Sequence, residues 1–82
     1  MTQVALTSEL IRAARALLRW DQRQLADASS VSLPTVKRLE SKAGILVAHA
    51  LTLAAFKRAF EDAGVEFIEE NGGGPGVRLS KR

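Results

Sequence analysis

The sequence predicts a mainly α-helical domain that ends in a β-hairpin, and three observations support this class. Up to residue 63, apolar residues recur every three or four positions, the spacing of helices that each bury one face. Beyond residue 64 apolar residues alternate with polar ones on either side of a glycine-rich loop. The 82 residues are 46% apolar, enough for one compact core. We therefore expect a bundle of four to five helices over residues 1–64 and a hairpin over residues 65–82.

Residues that cap helix ends predict where the first three helices begin. Thr7 or Ser8 can cap the first helix, and Asp21 can accept backbone N–H bonds at the start of a second, which runs to about residue 28. Ser32 can cap the third helix, with Pro34 in its first turn, where the missing N–H costs nothing. The first helix has the most regular apolar face: Leu10, Ile11, Ala14, Leu17 and Leu18.

The second half of the chain is less uniform. Residues 45–51 are apolar without a clear period, so their structure stays open. Thr52 is expected to cap a fourth helix that ends at Gly64. The inward residues of this helix are Phe56, Ala59, Phe60 and Ala63. The loop Asn71–Gly76 lacks the strand-then-helix setting of a phosphate-binding loop, so it is interpreted as a flexible turn.

Basic residues concentrate in the N-terminal two-thirds of the chain. Residues 1–58 hold nine of the 12 lysines and arginines and four acidic residues, a net charge of +5. Residues 59–82 hold three basic and five acidic residues, a net charge of −2. A positive field attracts polyanions, although charged faces of small helical domains are often only solvated.

Composition argues against several functions. The chain has no Cys and no Tyr, and its one histidine, His49, has no companion ligand or nucleophile nearby in the sequence. We therefore expect no enzymatic activity, no metal site and no cofactor. No apolar run approaches the roughly 20 residues that span a bilayer, and no secretory signal is recognisable. These features predict a soluble, cytoplasmic protein without membrane contact.

Residues 21–40 have the pattern of a helix-turn-helix unit. Two short helices that cross steeply need a small residue where they touch, here Ala26, and buried residues beside the turn, here Leu25 and Val31. Val36 and Leu39 lie three apart on the inner face of the second of these helices. The residues then expected to point outward are Leu33, Pro34, Lys37 and Arg38, with Thr35 to one side.

Four short pieces stand at the spacing of a known family: Trp20-Asp21-Gln22, Leu25-Ala26, Val31-Ser32 and Thr35–Glu40. In these pieces the chain resembles the phage-repressor or Cro-like (XRE) helix-turn-helix family, over about residues 8–63. The resemblance implies a lambda-repressor-like bundle that binds a palindromic operator in double-stranded DNA as a homodimer and regulates transcription, with RNA polymerase or another protein as a further partner. It also implies that the opening glutamine of the second helix touches the DNA backbone and that the third helix enters the major groove. The expected DNA contacts are Gln22, Arg23, Ser32, Leu33, Pro34, Thr35, Lys37, Arg38 and Lys42.

Two features depart from the family pattern. Ser30 stands at a turn position where the family usually has glycine, so either a positive φ costs about 1 kcal/mol there or the turn differs slightly. Leu33 and Pro34 open the third helix in place of polar residues, so hydrogen-bonded base readout falls mainly on Lys37 and Arg38.

One helix-turn-helix unit covers little DNA, which predicts a dimer held together by the apolar hairpin. The alternative is that the hairpin packs onto the helix of Phe56 and Phe60 in its own chain. The expected dimer residues are Val65, Phe67, Ile68, Val77 and Leu79. Two other functions stay open: an antitoxin or accessory protein that binds both DNA and a partner protein, and a protein-interaction module that does not bind DNA.

Overall fold

The computed structural model of the chain describes residues 6–80 and has, within them, four α-helices followed by two antiparallel strands. The helices are α1 (Ser8–Leu18), α2 (Gln22–Ser29), α3 (Leu33–Glu40) and α4 (Ala50–Asp62). The strands are β1 (Val65–Ile68) and β2 (Gly76–Leu79). This arrangement confirms the predicted class, a mainly α-helical bundle with a C-terminal hairpin.

The first three helices begin at the predicted caps. The Thr7 hydroxyl accepts a bond from the backbone N–H of Leu10 at 3.0 Å, which starts α1. The Asp21 carboxylate accepts the backbone N–H of Gln24, and the Gln24 side chain accepts the backbone N–H of Asp21, both at 2.8 Å. This reciprocal capping box satisfies two N–H groups that would otherwise lack partners at the start of α2. The Ser32 hydroxyl caps α3.

The predicted start of α4 at Thr52 is wrong. The helix begins at Ala50, and its cap is His49, whose Nδ1 accepts the backbone N–H of Leu51 at 3.1 Å. The backbone N–H of Thr52 donates to the His49 carbonyl at 2.9 Å within the first turn. An imidazole nitrogen can act as a cap acceptor, but capping rules favour Ser, Thr, Asp and Asn, so the sequence gives histidine little weight. The predicted end is confirmed: α4 ends at Asp62, Ala63 is its C-cap, and Gly64 follows with φ +102°.

The core is formed by one face of every helix and by the first residue of β1. Trp20 stacks on Phe60 with ring centroids 5.8 Å apart, and Phe60 meets Phe67 of β1 edge-on at 6.1 Å. Leu17, predicted to face inward, is exposed, because Leu18 takes the last inward position before the chain turns at Arg19. The buried cluster consists of Leu6, Ile11, Ala14, Leu25, Ala26, Val36, Leu39, Leu46, Phe56, Ala59, Phe60 and Val65.

The hairpin packs onto its own chain. Phe67 pairs with Val77 across the two strands, β1 lies against α4, and β2 lies beside α1. Phe67 and Val77 are half-buried against the core, and Val65 is fully buried within it. Val65, predicted as a dimer contact, is therefore not accessible to a second chain. Val65, Phe67 and Val77 pack as the second alternative predicted, with the hairpin folded onto the helix of Phe56 and Phe60 in its own chain.

Residues 41–49 form an irregular segment tied to the start of α1. Of residues 45–51, whose structure the sequence left open, 45–49 belong to this segment and 50–51 begin α4. Leu46 donates its backbone N–H to the Leu6 carbonyl at 3.0 Å, and Ser8 donates to the Gly44 carbonyl at 3.0 Å. The Glu9 carboxylate accepts the backbone N–H of Gly44 at 3.1 Å. These bonds fix the segment although it contains no helix and only one isolated bridge pair.

Replacing Glu9 with glutamine is expected to lower the thermal midpoint more at pH 7 than at pH 3. Hydrogen bonds from backbone N–H groups, first its own and then that of Gly44, lower the pKa of the Glu9 carboxyl below its ordinary 4.5. A carboxyl with a lowered folded pKa stabilises the fold above its unfolded pKa and loses that contribution as the pH falls through its folded pKa. Thermal unfolding of both proteins at the two pH values measures the gap, and a gap that stays constant would contradict this role.

Candidate nucleic-acid interface

One face of α3 and its C-terminal cap is exposed. Pro34, Lys37, Arg38 and Ser41 are exposed, and their spacing of three, four and seven residues places them in one stripe. The opposite face consists of Val36, Leu39 and Glu40, all buried. Eight helical residues extend about 12 Å, close to the width of the DNA major groove.

The start of α3 differs from the prediction at one residue. The Ser32 hydroxyl accepts the backbone N–H of Thr35 at 3.3 Å and donates to the Thr35 hydroxyl at 2.9 Å. Thr35 is half-buried, and its own hydroxyl hydrogen is left free to donate. Leu33, predicted to point outward, is half-buried and packs against the core. Pro34 is then the exposed apolar residue at this end of α3.

A buried ion pair holds the other end of α3. Glu40 accepts two bonds from the Arg15 guanidinium, from Nε at 2.8 Å and from Nη2 at 2.7 Å. The exposed fraction is 5% for the Glu40 side chain and 18% for that of Arg15. Arg15 also donates to the Trp20 carbonyl at 3.0 Å. These bonds join α3 to α1 and to the turn that follows α1, and sequence reasoning missed them.

Gln22 completes this network from the start of α2. Its amide nitrogen donates to Glu40 Oε1 at 3.1 Å, so the side chain supports α3 directly. The amide nitrogen carries two hydrogens, and one of them is engaged by Glu40. Gln22 is half-buried, and its predicted contact with a phosphate stays a prediction.

Several cations around α3 have no acidic partner in the part of the chain that the structure describes. Within residues 6–80, salt bridges involve Arg12, Arg15 and Arg78. Arg38 and Lys42 line one small hollow of about 140 Å³. Gln22 bonds to Glu40 at the C-terminal end of α3, and Arg23 follows it in the first turn of α2. The exposed cations without a salt bridge to a described carboxylate include Arg19, Arg23, Lys37, Arg38 and Lys42.

The turn between α2 and α3 places a serine in the left-handed region. Ser30 has φ +62° and ψ +23°, a conformation that favours glycine. A residue with a Cβ is strained here because the Cβ approaches the following carbonyl oxygen. The sequence left open whether Ser30 has a positive φ or the turn differs slightly. The positive φ is observed.

Replacing Ser30 with glycine is therefore expected to stabilise the protein by roughly 0.5–1 kcal/mol, because relief of the left-handed penalty outweighs the added freedom of the unfolded chain. Urea unfolding measures the change. Ser29→Gly is the matched control, since Ser29 is helical and its hydroxyl bonds to the Leu25 carbonyl at 2.7 Å. The control should destabilise the protein, and a shift of both variants in the same direction would contradict the argument.

No protein-family model matches this chain, and no curated protein matches it. Among residues 6–80, no group of three or more His, Cys, Asp and Glu side chains is placed to hold a metal ion. In the same part of the chain, no helix is both long and apolar enough to cross a membrane. The functional assignment therefore depends on α3 and the residues around it.

Proposed function

We propose that the protein is a sequence-specific transcriptional regulator that binds double-stranded DNA as a homodimer. The observation that carries the proposal is the exposed stripe of α3, where Lys37 and Arg38 have no acidic partner among residues 6–80 while Glu40 anchors the opposite face of the same helix. A short helix with free cations on its outer face fits the major groove, and a fixed position is what sequence readout requires.

Each part of the site has a distinct role in this complex. Arg38 can pair with both O6 and N7 of a guanine, and Lys37 can donate to the same base edge or to its neighbour. Gln22 and Lys42, near the C-terminal end of α3, and Arg23, in the first turn of α2, would contact phosphates and set the register. Ser32 and Thr35 would contact a phosphate at the other end through the Thr35 hydroxyl and the backbone N–H of Leu33, since Pro34 has no N–H and that of Thr35 is bonded to Ser32. Pro34 offers apolar contact to a thymine methyl.

Replacing Arg38 with alanine is expected to cost about 1–3 kcal/mol of binding energy on the specific site and much less on random DNA, because a bidentate pair distinguishes one base from the others. Gel-shift titrations would use DNA from upstream of the gene and fragments selected from a random pool. Arg78→Ala is the matched control, since Arg78 is an exposed arginine on the hairpin, which packs against α1 and α4. The control also removes one positive charge, and it should leave the difference in binding free energy between specific and random DNA unchanged.

The outcomes of this titration separate three cases. A loss of equal size on specific and random DNA would show that Arg38 contacts only phosphate. Binding to the operator should also weaken steeply with added salt, because basic side chains release counterions from the phosphates. Absence of binding at low salt would refute the DNA function and leave a role in protein interaction.

A further inference from the structure

Exposed large apolar side chains concentrate on one part of the described chain. Ile45, Val47 and Leu51 are 70%, 88% and 74% exposed, more than any other large apolar residue among residues 6–80. Ile45 and Leu51 border an open groove of about 780 Å³ between this segment and α4. The groove continues over Leu53 and Ala54 to a charged end. We call Ile45, Val47, Leu51 and this groove the loop–α4 surface.

The exposure of these side chains follows from the local backbone. Leu46 is buried and bonded to Leu6, so its neighbours Ile45 and Val47 point the other way, as alternate residues of an extended segment do. Gly44 is tied to Ser8 and to Glu9, which holds the segment in place. The fold thus presents a fixed apolar cluster to solvent, and such clusters mark interaction sites.

We propose that the loop–α4 surface binds a second copy of the chain and so pairs two DNA-binding units. The proposal rests on the proposed DNA function, and it moves the dimer contact from the hairpin, where the sequence placed it, to this surface. Three observations favour a second copy: the position of the surface relative to α3, the charges at the end of the groove, and the composition of the cluster.

The loop–α4 surface lies beside α3. Ile45 and Val47 border the same small hollow as Arg38 and Lys42, so the surface continues directly from the proposed DNA contacts. Two recognition helices of a dimer must sit about 34 Å apart to reach successive major grooves. The hairpin packs against α1 and α4, and pairing there would place those helices of both chains between the two α3 helices.

The charges at the far end of the groove suit a two-fold pair. Arg58 and Glu61 are exposed, lie three residues apart on α4 and both line the groove. Around a two-fold axis, antiparallel α4 helices can set each cation opposite the anion of the other copy, and the contact repeats twice.

The composition of the surface is that of an interface centre with a polar rim. Stable interfaces bury about 800 Å² on each partner around a central group of large, fully desolvated side chains. Ile45, Val47 and Leu51 supply the apolar centre, and Lys57, Arg58 and Glu61 supply the rim. On the hairpin, only Leu79 is a strongly exposed large apolar residue.

The test is the mass of the full chain in solution without DNA, measured by light scattering and sedimentation over a range of concentrations. The wild type should dimerise, and the double variant Val47→Glu/Leu51→Glu should raise the dimer dissociation constant by at least about 100-fold, as expected for two central contacts. Both side chains are mostly exposed, so the new carboxylates stay in water and the fold should persist. Circular dichroism checks the fold.

Leu79→Glu is the matched control, because it places the same charge on the exposed part of the hairpin. It should leave the dissociation constant unchanged. A wild type that stays monomeric at concentrations where it binds DNA would overturn the proposal and leave the surface for another protein. Dissociation by Leu79→Glu without dissociation by the double variant would return the interface to the hairpin.

This experiment is independent of DNA binding. A dimer that the double variant disrupts in a protein without DNA affinity would uphold the loop–α4 surface and refute the proposed function. A monomer that binds one DNA sequence selectively would refute the loop–α4 interface and uphold the DNA-binding function. In the expected case the double variant loses operator affinity, and its affinity for random DNA also falls, because Val47→Glu places a carboxylate at the hollow that Arg38 and Lys42 line. Leu51→Glu alone lies outside that hollow and should keep the weaker affinity for random DNA.

Discussion

Replacing Glu40 with alanine is expected to lower the free energy of unfolding by about 3–5 kcal/mol, the cost of breaking a buried ion pair on one side. The Arg15 guanidinium would keep its burial and lose the carboxylate that accepts two of its N–H groups. Gln22 would lose its acceptor as well. A domain of this length has a total stability of roughly 4–12 kcal/mol, so the loss is a large fraction of it. Urea unfolding at 25 °C measures the change.

The hairpin supplies a control with the same chemistry and different burial. Arg78 donates to Glu66 through two nitrogens at 3.0 and 3.2 Å, but these side chains are 63% and 47% exposed. Water screens the exposed pair, so Glu66→Ala should cause no resolvable change. Arg15→Met combined with Glu40→Leu should recover much of the stability, because neither charge is then buried alone. Equal losses for Glu40→Ala and Glu66→Ala would show that burial does not set the energy.

Phe60→Ala is expected to cost about 3–5 kcal/mol, since a buried ring is removed and the surrounding side chains fill the space only in part. Phe60 is fully buried and contacts both Trp20 and Phe67. Its loss would loosen the α4–hairpin contact together with the turn after α1. Urea unfolding followed by fluorescence suits this variant, because Trp20 is the only tryptophan of the chain.

Phe67→Ala is the comparison for this variant. Phe67 is half-buried on the hairpin, so its removal should cost clearly less than the removal of Phe60. If the two losses are equal, the hairpin is as tightly integrated in the core as α4, and the ranking by burial fails. If Phe60→Ala costs less than about 1 kcal/mol, the aromatic stack does not hold the bundle together.

Short-range features of this protein were predictable because their causes are local. A capping side chain bonds to a backbone N–H two or three residues away, so Thr7, Asp21 and Ser32 were recognisable without the fold. Leu25 and Val36 also lie where their helical spacing predicted, in the core. The exposed stripe of α3 followed from the same periodicity, apart from Leu33.

Features that depend on long-range contacts were not predictable from the sequence alone. Arg15 and Glu40 are 25 residues apart, and nothing in the local pattern of either marks a buried pair. Leu33 packs against the core, and whether it can do so depends on how α3 packs against the other helices. The alternating pattern of the strand that begins at Val65 is the same whether the strand pairs with a second chain or packs against its own chain. The segment around Leu46 shows no regular spacing of apolar residues. A backbone bond to Leu6, distant in the sequence, holds it in place.

The anchorage of α3 at both ends has a consequence for the thermodynamics of binding. Ser32 holds its first turn, and Glu40 joins its last turn to α1 and α2 before any ligand arrives. In the proposed DNA complex, the free energy of contact is then not consumed in ordering the helix. Helix content should be nearly the same with and without DNA, and the entropy of association should come mainly from released ions and water rather than from a chain that folds.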